Sequence, residues 1–388
     1  MTSPLEVYYA TNYSNCDITY SFLASAEGLA FYCHVCQIFA LPFQILAAYI
    51  ILTKTPNVMK AMKMPLLVNH FWWVKLKCSD ALFANRDLAL FWSLDANIVS
   101  QRNSRAFKLF RCTLLDIHIC TLSTPYIFLP NLSGFTVGLF SKIGVRNIVQ
   151  LFSEMFTAVV MFSSYVFIFE NRSAQLDGNR FRMRRTSLRV CYHGLVLLIN
   201  SSVMVYFWYI PSDQETAKLR VLDLEPCPTK EFFTNDVLVV FNDMRVYYLV
   251  ARIYIPAQGI HVILHILFHV SCTVYYLYIG PTHAISVETQ KNQRKFLVSI
   301  TIQTLVPMML MLILFCMTLM NEMFYGYHQS TMNAAIVGVA MHGLVESITL
   351  LIVHRPYREA VWKLATRKVK NRMNIFHRVE PSPIFDST

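Results

Sequence analysis

The chain has 388 residues, of which 55% are hydrophobic and 15% charged, where ordinary soluble domains carry about 25% charged residues. This composition excludes a disordered chain and argues against a soluble enzyme, and 11 glycines leave little material for Gly-rich phosphate loops. The net charge of +11 suggests nucleic acid or an anionic membrane surface, and the positions of the charges decide between them.

The amino-terminal segment Met1–Gly28 has no Lys or Arg and carries Glu6, Asp17 and Glu27. The first apolar run, Leu29–Leu52, is too long and starts too late for a signal peptide. A spanning helix needs about 20 apolar residues to cross roughly 30 Å of hydrocarbon. The sequence supplies that in runs at 29–52, 148–169, 190–210, 255–279, 296–320 and 333–354. A seventh, less clean run covers Thr113–Pro130 and reads on apolar, giving an expected span at about 113–135. Lipid offers the backbone no hydrogen-bond partner, so all seven are expected to be helices. The predicted fold is all-α: a seven-transmembrane helix bundle over 29–354, followed by a basic tail, 355–388.

Seven spans place the two ends on opposite sides. With the amino terminus outside and the carboxyl terminus cytoplasmic, the inner segments hold 20 basic residues, the outer ones 7, and Val74–Cys112 the remaining 7. Basic residues concentrate on the cytoplasmic side of membrane proteins. Topology therefore accounts for the charge, and no nucleic-acid partner is needed. Asn12-Tyr13-Ser14 is a glycosylation acceptor in the outer segment. In the tail, Val361, Trp362 and Leu364 with Lys368 and Arg372 form a basic amphipathic stretch suited to the inner membrane face.

A topology of this kind fits a receptor, and less well a transporter or channel. No internal repeat and no filter-like loop is evident. His261, His265 and His269 recur on one face of the fifth run, a spacing that can hold a metal. No carboxylate in that run completes a site, so the preferred reading is a polar stripe facing other helices. No metal, cofactor or catalytic residues are expected.

Several short patterns run along the chain in order. They include Leu41-Pro42, Lys54-Thr55-Pro56, Leu66-Leu67-Val68-Asn69-His70-Phe71-Trp72, Pro125-Tyr126 with Pro130, and Gly138-Leu139. Later come Glu170-Asn171-Arg172, Pro226-Cys227-Pro228, Gln303, Pro307 and His354-Arg355-Pro356-Tyr357-Arg358. Together they resemble the nematode serpentine chemoreceptors of class H, a family of seven-helix G protein-coupled receptors. The resemblance implies a multi-pass plasma-membrane receptor of sensory neuron cilia. Such a receptor binds a small-molecule chemosensory ligand and activates a heterotrimeric G protein within the lipid bilayer. Ligand pockets usually lie between helices, so the expected ligand site is among the third, fifth, sixth and seventh spans, in their outer half. Inward polar candidates there are Glu154, His261, His265, Gln303 and His342, with Glu346 deeper. The expected coupling surface comprises Glu170, Arg172, Arg180, Arg182, Arg184 and Arg185 beneath the third span, and Lys291, Arg294 and Lys295 beneath the sixth. Glu170 beside Arg172 suggests an acid–arginine lock at a helix end. Receptors of this kind tie the top of the third span to the second outer loop by a disulfide. Here that position has no Cys, which leaves Cys16 as the partner for Cys227.

The pattern departs from the family at Val74–Cys112, expected to be an insertion. It strands the eight residues Leu66–Trp73 from Thr113, although the two pieces would join into one apolar run. The coding potential at its ends, a GT-initial start and a T-rich stretch before AG, suggests translated intron.

Overall fold

A computed structural model of the chain describes residues 3–16, 21–54, 114–129, 132–176, 178–279, 286–324 and 328–376. Residues 55–113, with Leu66–Trp73 and the expected insertion, lie outside the described residues.

Among the described residues, six helices are long and apolar enough to cross a membrane. In the seven-span order these are span one (Ala26–Lys54), span three (Asn147–Ala174), span four (Thr186–Tyr209), span five (Met244–Ile279), span six (Val287–Met320) and span seven (Gln329–Val353). No more than 44% of any apolar window is buried inside the protein. The remaining apolar surface faces outward, as hydrocarbon allows and water does not. Pro42 and Pro307 lie within continuous helices. Pro256 follows a wide turn at Leu249–Tyr254, where i→i+5 geometry absorbs the missing donor. Span seven breaks between Ala340 and His342.

Span two departs from its expected 113–135. Its described helix is Leu114–Ile117 followed by a wide turn at His118–Leu122, and there it stops. Pro125 has no N–H to donate, and it disfavours helical backbone at the preceding residue. Thr124 takes φ +48°, a left-handed backbone that a β-branched residue rarely adopts and that turns the chain out of the helix. The chain then folds into β1 (Pro125–Phe128) and β2 (Ser133–Thr136), an antiparallel hairpin in which Tyr126 faces Phe135. Leu238–Val239 adds to β2 as β3. This three-stranded sheet is a feature the helical reading did not contain.

The sheet closes one end of the bundle, the cap end. Tyr126 is fully buried, donating to the Ala24 carbonyl at 2.5 Å and meeting the Thr229 hydroxyl at 2.9 Å. Asn333 of span seven donates to the Leu23 carbonyl at 2.8 Å. Helix Gln214–Leu224, capped by Asp213, packs Ala217, Val221 and Leu222 into the same core as Phe128, Phe232, Leu29 and Ile336. The Thr216 hydroxyl and N–H bond the Asp213 carboxyl and hold it below the usual carboxylate range. Over this cap lies helix Pro4–Thr11, tethered by a disulfide between Cys16 and Cys227 with 5.8 Å between their α-carbons. Helix Arg355–Phe376 leaves the opposite, tail end.

The turn from span two into the sheet depends on close backbone approach. Gly138 donates to the Ser123 carbonyl at 2.8 Å. A Cβ on Gly138 would lie 2.4 Å from the Leu122 oxygen and 2.7 Å from the Ser123 carbonyl carbon. Gly138→Ala is therefore expected to cost about 1–3 kcal/mol through backbone displacement. Thermal unfolding of the detergent-solubilised protein checks this, and an unchanged midpoint would refute it.

Candidate functional site

Polar side chains are rare in lipid-embedded bundles, so their positions mark where function concentrates. Here they form three layers along the bundle and one lateral chain.

At the cap end, Glu154 of span three lies beneath the sheet. It lines a cavity of about 30 Å³ with Tyr126, Ser133, Thr136, Asn147 and Leu238, room for roughly two waters. The Glu154 carboxyl lies beside the Ser123 hydroxyl. The carboxyl oxygen Oε1 is buried with no partner. Beside it, His118 Nε2 meets the hydroxyls of Ser123 at 3.2 Å and Ser153 at 3.0 Å. Ser133, on the cavity wall, also has a buried hydroxyl without a partner, so the cavity presents two unmet polar groups.

In mid-bundle, Asp116 of span two is buried. It accepts from the Gln44 amide of span one at 2.5 Å and from the Gly343 N–H of span seven at 3.3 Å. At the span-seven break, His342 Nε2 meets the Tyr165 hydroxyl of span three at 2.9 Å, and Glu346 is buried one turn on. Spans one, two, three and seven are thus fastened by side chains at one level.

At the tail end, Glu170 is 1% exposed and pairs with Arg189 of span four, not with Arg172. Arg189 Nη2 and Nε bond its two oxygens at 2.6 and 3.0 Å, and His193 Nε2 lies 3.2 Å away. The expected Glu170–Arg172 lock is therefore replaced by a lock between spans three and four. The reason is helical: Arg172 lies two residues on, about 200° round the axis, and faces span six. There it donates to the Gln293 carbonyl at 3.2 Å and lies over the Phe296 ring. Gln303 of span six bonds His354 Nε2 at 2.8 Å, also toward the tail. Arg294 donates to the Leu277 carbonyl at 2.6 Å and covers the Tyr278 ring, closing the end of span five. Lys291 and Lys295 are exposed, as are Arg180, Arg184 and Arg185, while Arg182 is half-buried.

The lateral chain runs between spans three, four and five. His269 Nδ1 meets the Ser173 hydroxyl at 2.9 Å, and His269 Nε2 the Tyr192 hydroxyl at 3.1 Å. Tyr192 also meets His265 Nδ1 at 2.7 Å, His265 Nε2 lies 3.1 Å from His261 Nε2, and His261 Nδ1 is 3.3 Å from the Asn200 carbonyl oxygen. The histidines bond one another and span four rather than gathering around a centre. Among the described residues, no group of three or more His, Cys, Asp or Glu is placed to hold a metal.

The five expected ligand residues are thus not brought together. Glu154 lies under the cap, His342 at mid-bundle, Gln303 toward the tail, and His261 and His265 in the lateral chain. Asn12 is exposed beside helix Pro4–Thr11. Sequence reasoning missed Asp116, Tyr165, Tyr192, Arg189 and His193. Asp116 was legible as the lone acid in its apolar run, and Arg189 as a charge opening span four.

The family model for the serpentine type seven-transmembrane G protein-coupled chemoreceptor Srh matches residues 24–84 and 104–367. Between its two matched segments the family model leaves residues 85–103, which lie within the expected insertion, unmatched. A Caenorhabditis elegans protein, serpentine receptor class H-72, is 28% identical over 361 residues, covering 91% of this chain and 90% of the relative. No solved structure matches the chain.

Proposed function

Because the chain belongs to the class H serpentine chemoreceptors, a family of multi-pass chemosensory receptors, we propose that it binds a small ligand beneath its cap and activates a heterotrimeric G protein. The amino terminus and cap face outside, and the tail helix faces the cytosol of a sensory neuron. The 20-to-7 distribution of basic residues supports this orientation. The observation that carries the ligand reading is Glu154: its free carboxyl oxygen is buried at a cavity directly under the sheet. An unmet buried acceptor is costly, and a ligand hydroxyl or amine relieves that cost. The ligand group that reaches Glu154 is accordingly a small hydrogen-bond donor, in keeping with a cavity of about 30 Å³. At the tail end, Lys291, Lys295 and the arginines of 180–185 offer an exposed basic surface to the G protein, while Arg172 joins spans three and six behind it.

The test is an agonist screen on cells with a G-protein readout, using tags at both ends to record orientation. The expected result is agonist-dependent activation with an external amino-terminal tag. Glu154→Ala is expected to reduce potency about tenfold, about 1.4 kcal/mol, in line with the loss of one hydrogen bond. Ligand-evoked current without G-protein activation would overturn the reading in favour of a channel, and unchanged potency would remove Glu154 from it.

A further inference from the structure

Between spans four and five, a crevice of about 410 Å³ opens sideways. It reaches from His261 to His269 on span five and to Tyr192 on span four, and Phe181 and Met183 close its end. Tyr192 lies six residues, about 9 Å of helix, into span four, so the crevice belongs to the tail half. Its polar wall offers a ligand no obvious hydrogen bond. All six ring nitrogens of His261, His265 and His269 are occupied within the lateral chain. The remaining surface is overwhelmingly apolar, and Leu264 and Phe268 are 60% and 46% exposed on the outer face of the bundle. A soluble polar ligand gains nothing here, whereas a hydrocarbon chain does.

The loop that closes the crevice reads Arg180-Phe181-Arg182-Met183-Arg184-Arg185. The two apolar residues turn to the crevice, and charge alternates with them. Arg180, Arg184 and Arg185 are exposed and form no ion pair among the described residues. Apolar space closed by a loop that carries exposed arginines next to its lining residues has the charge pattern of an anionic amphiphile, and guanidinium matches phosphate geometry.

We infer that this crevice is a binding site for an anionic phospholipid of the cytoplasmic leaflet, with one acyl chain against Leu264 and Phe268 and its headgroup on Arg180, Arg184 and Arg185. The leaflet rests on the orientation proposed above; the crevice and its arginines do not. A lipid seated here covers Tyr192 and His265 from the side and so braces the chain that links spans three, four and five.

The experiment places the full-length receptor in phosphatidylcholine nanodiscs, with phosphatidylserine or phosphatidylcholine carrying a photoactivatable group at the end of one acyl chain. Peptide mass spectrometry maps the cross-links. Phosphatidylserine is expected to label the segments 181–192 and 261–269 preferentially. Arg184→Gln is expected to lower that preference about fivefold, the share of one basic residue at an anionic surface, and Leu264→Trp to lower labelling by both lipids. Raising the salt concentration should also reduce the preference in the unsubstituted receptor, which needs no variant to fold. Equal labelling by the two lipids, or a preference that survives both salt and the triple change Arg180→Gln, Arg184→Gln, Arg185→Gln, would overturn the inference. Neither agonist nor G protein enters the measurement, so a failure of signalling and a failure of lipid binding are read separately.

Discussion

Replacing Arg189 with alanine is expected to destabilise the bundle by about 3–5 kcal/mol, the usual cost of leaving one member of a buried ion pair unmatched. The asymmetry of the pair makes the expectation specific. Glu170 is 1% exposed and Arg189 30%, so losing the arginine strands a carboxylate, whereas losing the carboxylate frees an arginine that reaches water or lipid headgroups. His193, at 3.2 Å, offers a single contact in place of the bidentate one. Glu170→Gln should therefore cost less than Arg189→Ala, and the double change Glu170→Gln, Arg189→Gln less than Arg189→Ala alone. Thermal unfolding in detergent, with surface expression alongside, gives the order. If Glu170→Gln is the more damaging, the lock does not hold spans three and four as described.

Loss of the Cys16–Cys227 bridge is the second large effect. It joins residues 211 apart, and removing a native bridge typically costs about 2–5 kcal/mol. Cys227→Ser is expected to release the segment over the cap, because what remains there is modest. Tyr8 donates to the Pro226 carbonyl at 3.1 Å, Ser3 donates to Glu215, and Tyr9 and Tyr13 pack on Phe233. Surface expression should fall and proteolysis near residues 12–16 should rise. A variant as stable and as protease-resistant as the parent would show that these contacts hold the segment without the bridge.

The two locks act on different ends of the molecule. The disulfide and sheet hold the cap over spans one, two and seven. The Glu170–Arg189 pair and the Arg172 contact to span six lie at the tail end, beside the proposed coupling surface. Between them, Asp116, His342 and Tyr165 occupy the level at which span seven breaks. A ligand that moves Glu154 therefore acts on span three, the helix that contributes Glu154, Tyr165, Glu170 and Arg172 at all three levels. That shared helix is the physical route by which the proposed ligand site reaches the proposed coupling surface.

Hydropathy alone was enough to find six of the spans. Twenty apolar residues have only one stable form in hydrocarbon, so run length reports helix directly. The order of the short motifs was enough for the family. The sequence did not reveal the end of span two, because an apolar run through Pro125 and Tyr126 reads alike as buried helix or as buried sheet. Only the docking of that sheet on Ala24, Thr229 and the helix 214–224 separates them. Nor did it reveal the partners of the polar residues. Glu170 and Arg172 are neighbours in the chain, yet helical rotation sends one to span four and the other to span six. The five expected ligand residues each face inward or toward a neighbouring helix, but depth along a helix and the identity of its neighbours are set by packing between spans. A pattern that repeats within one helix carries no record of the helix beside it.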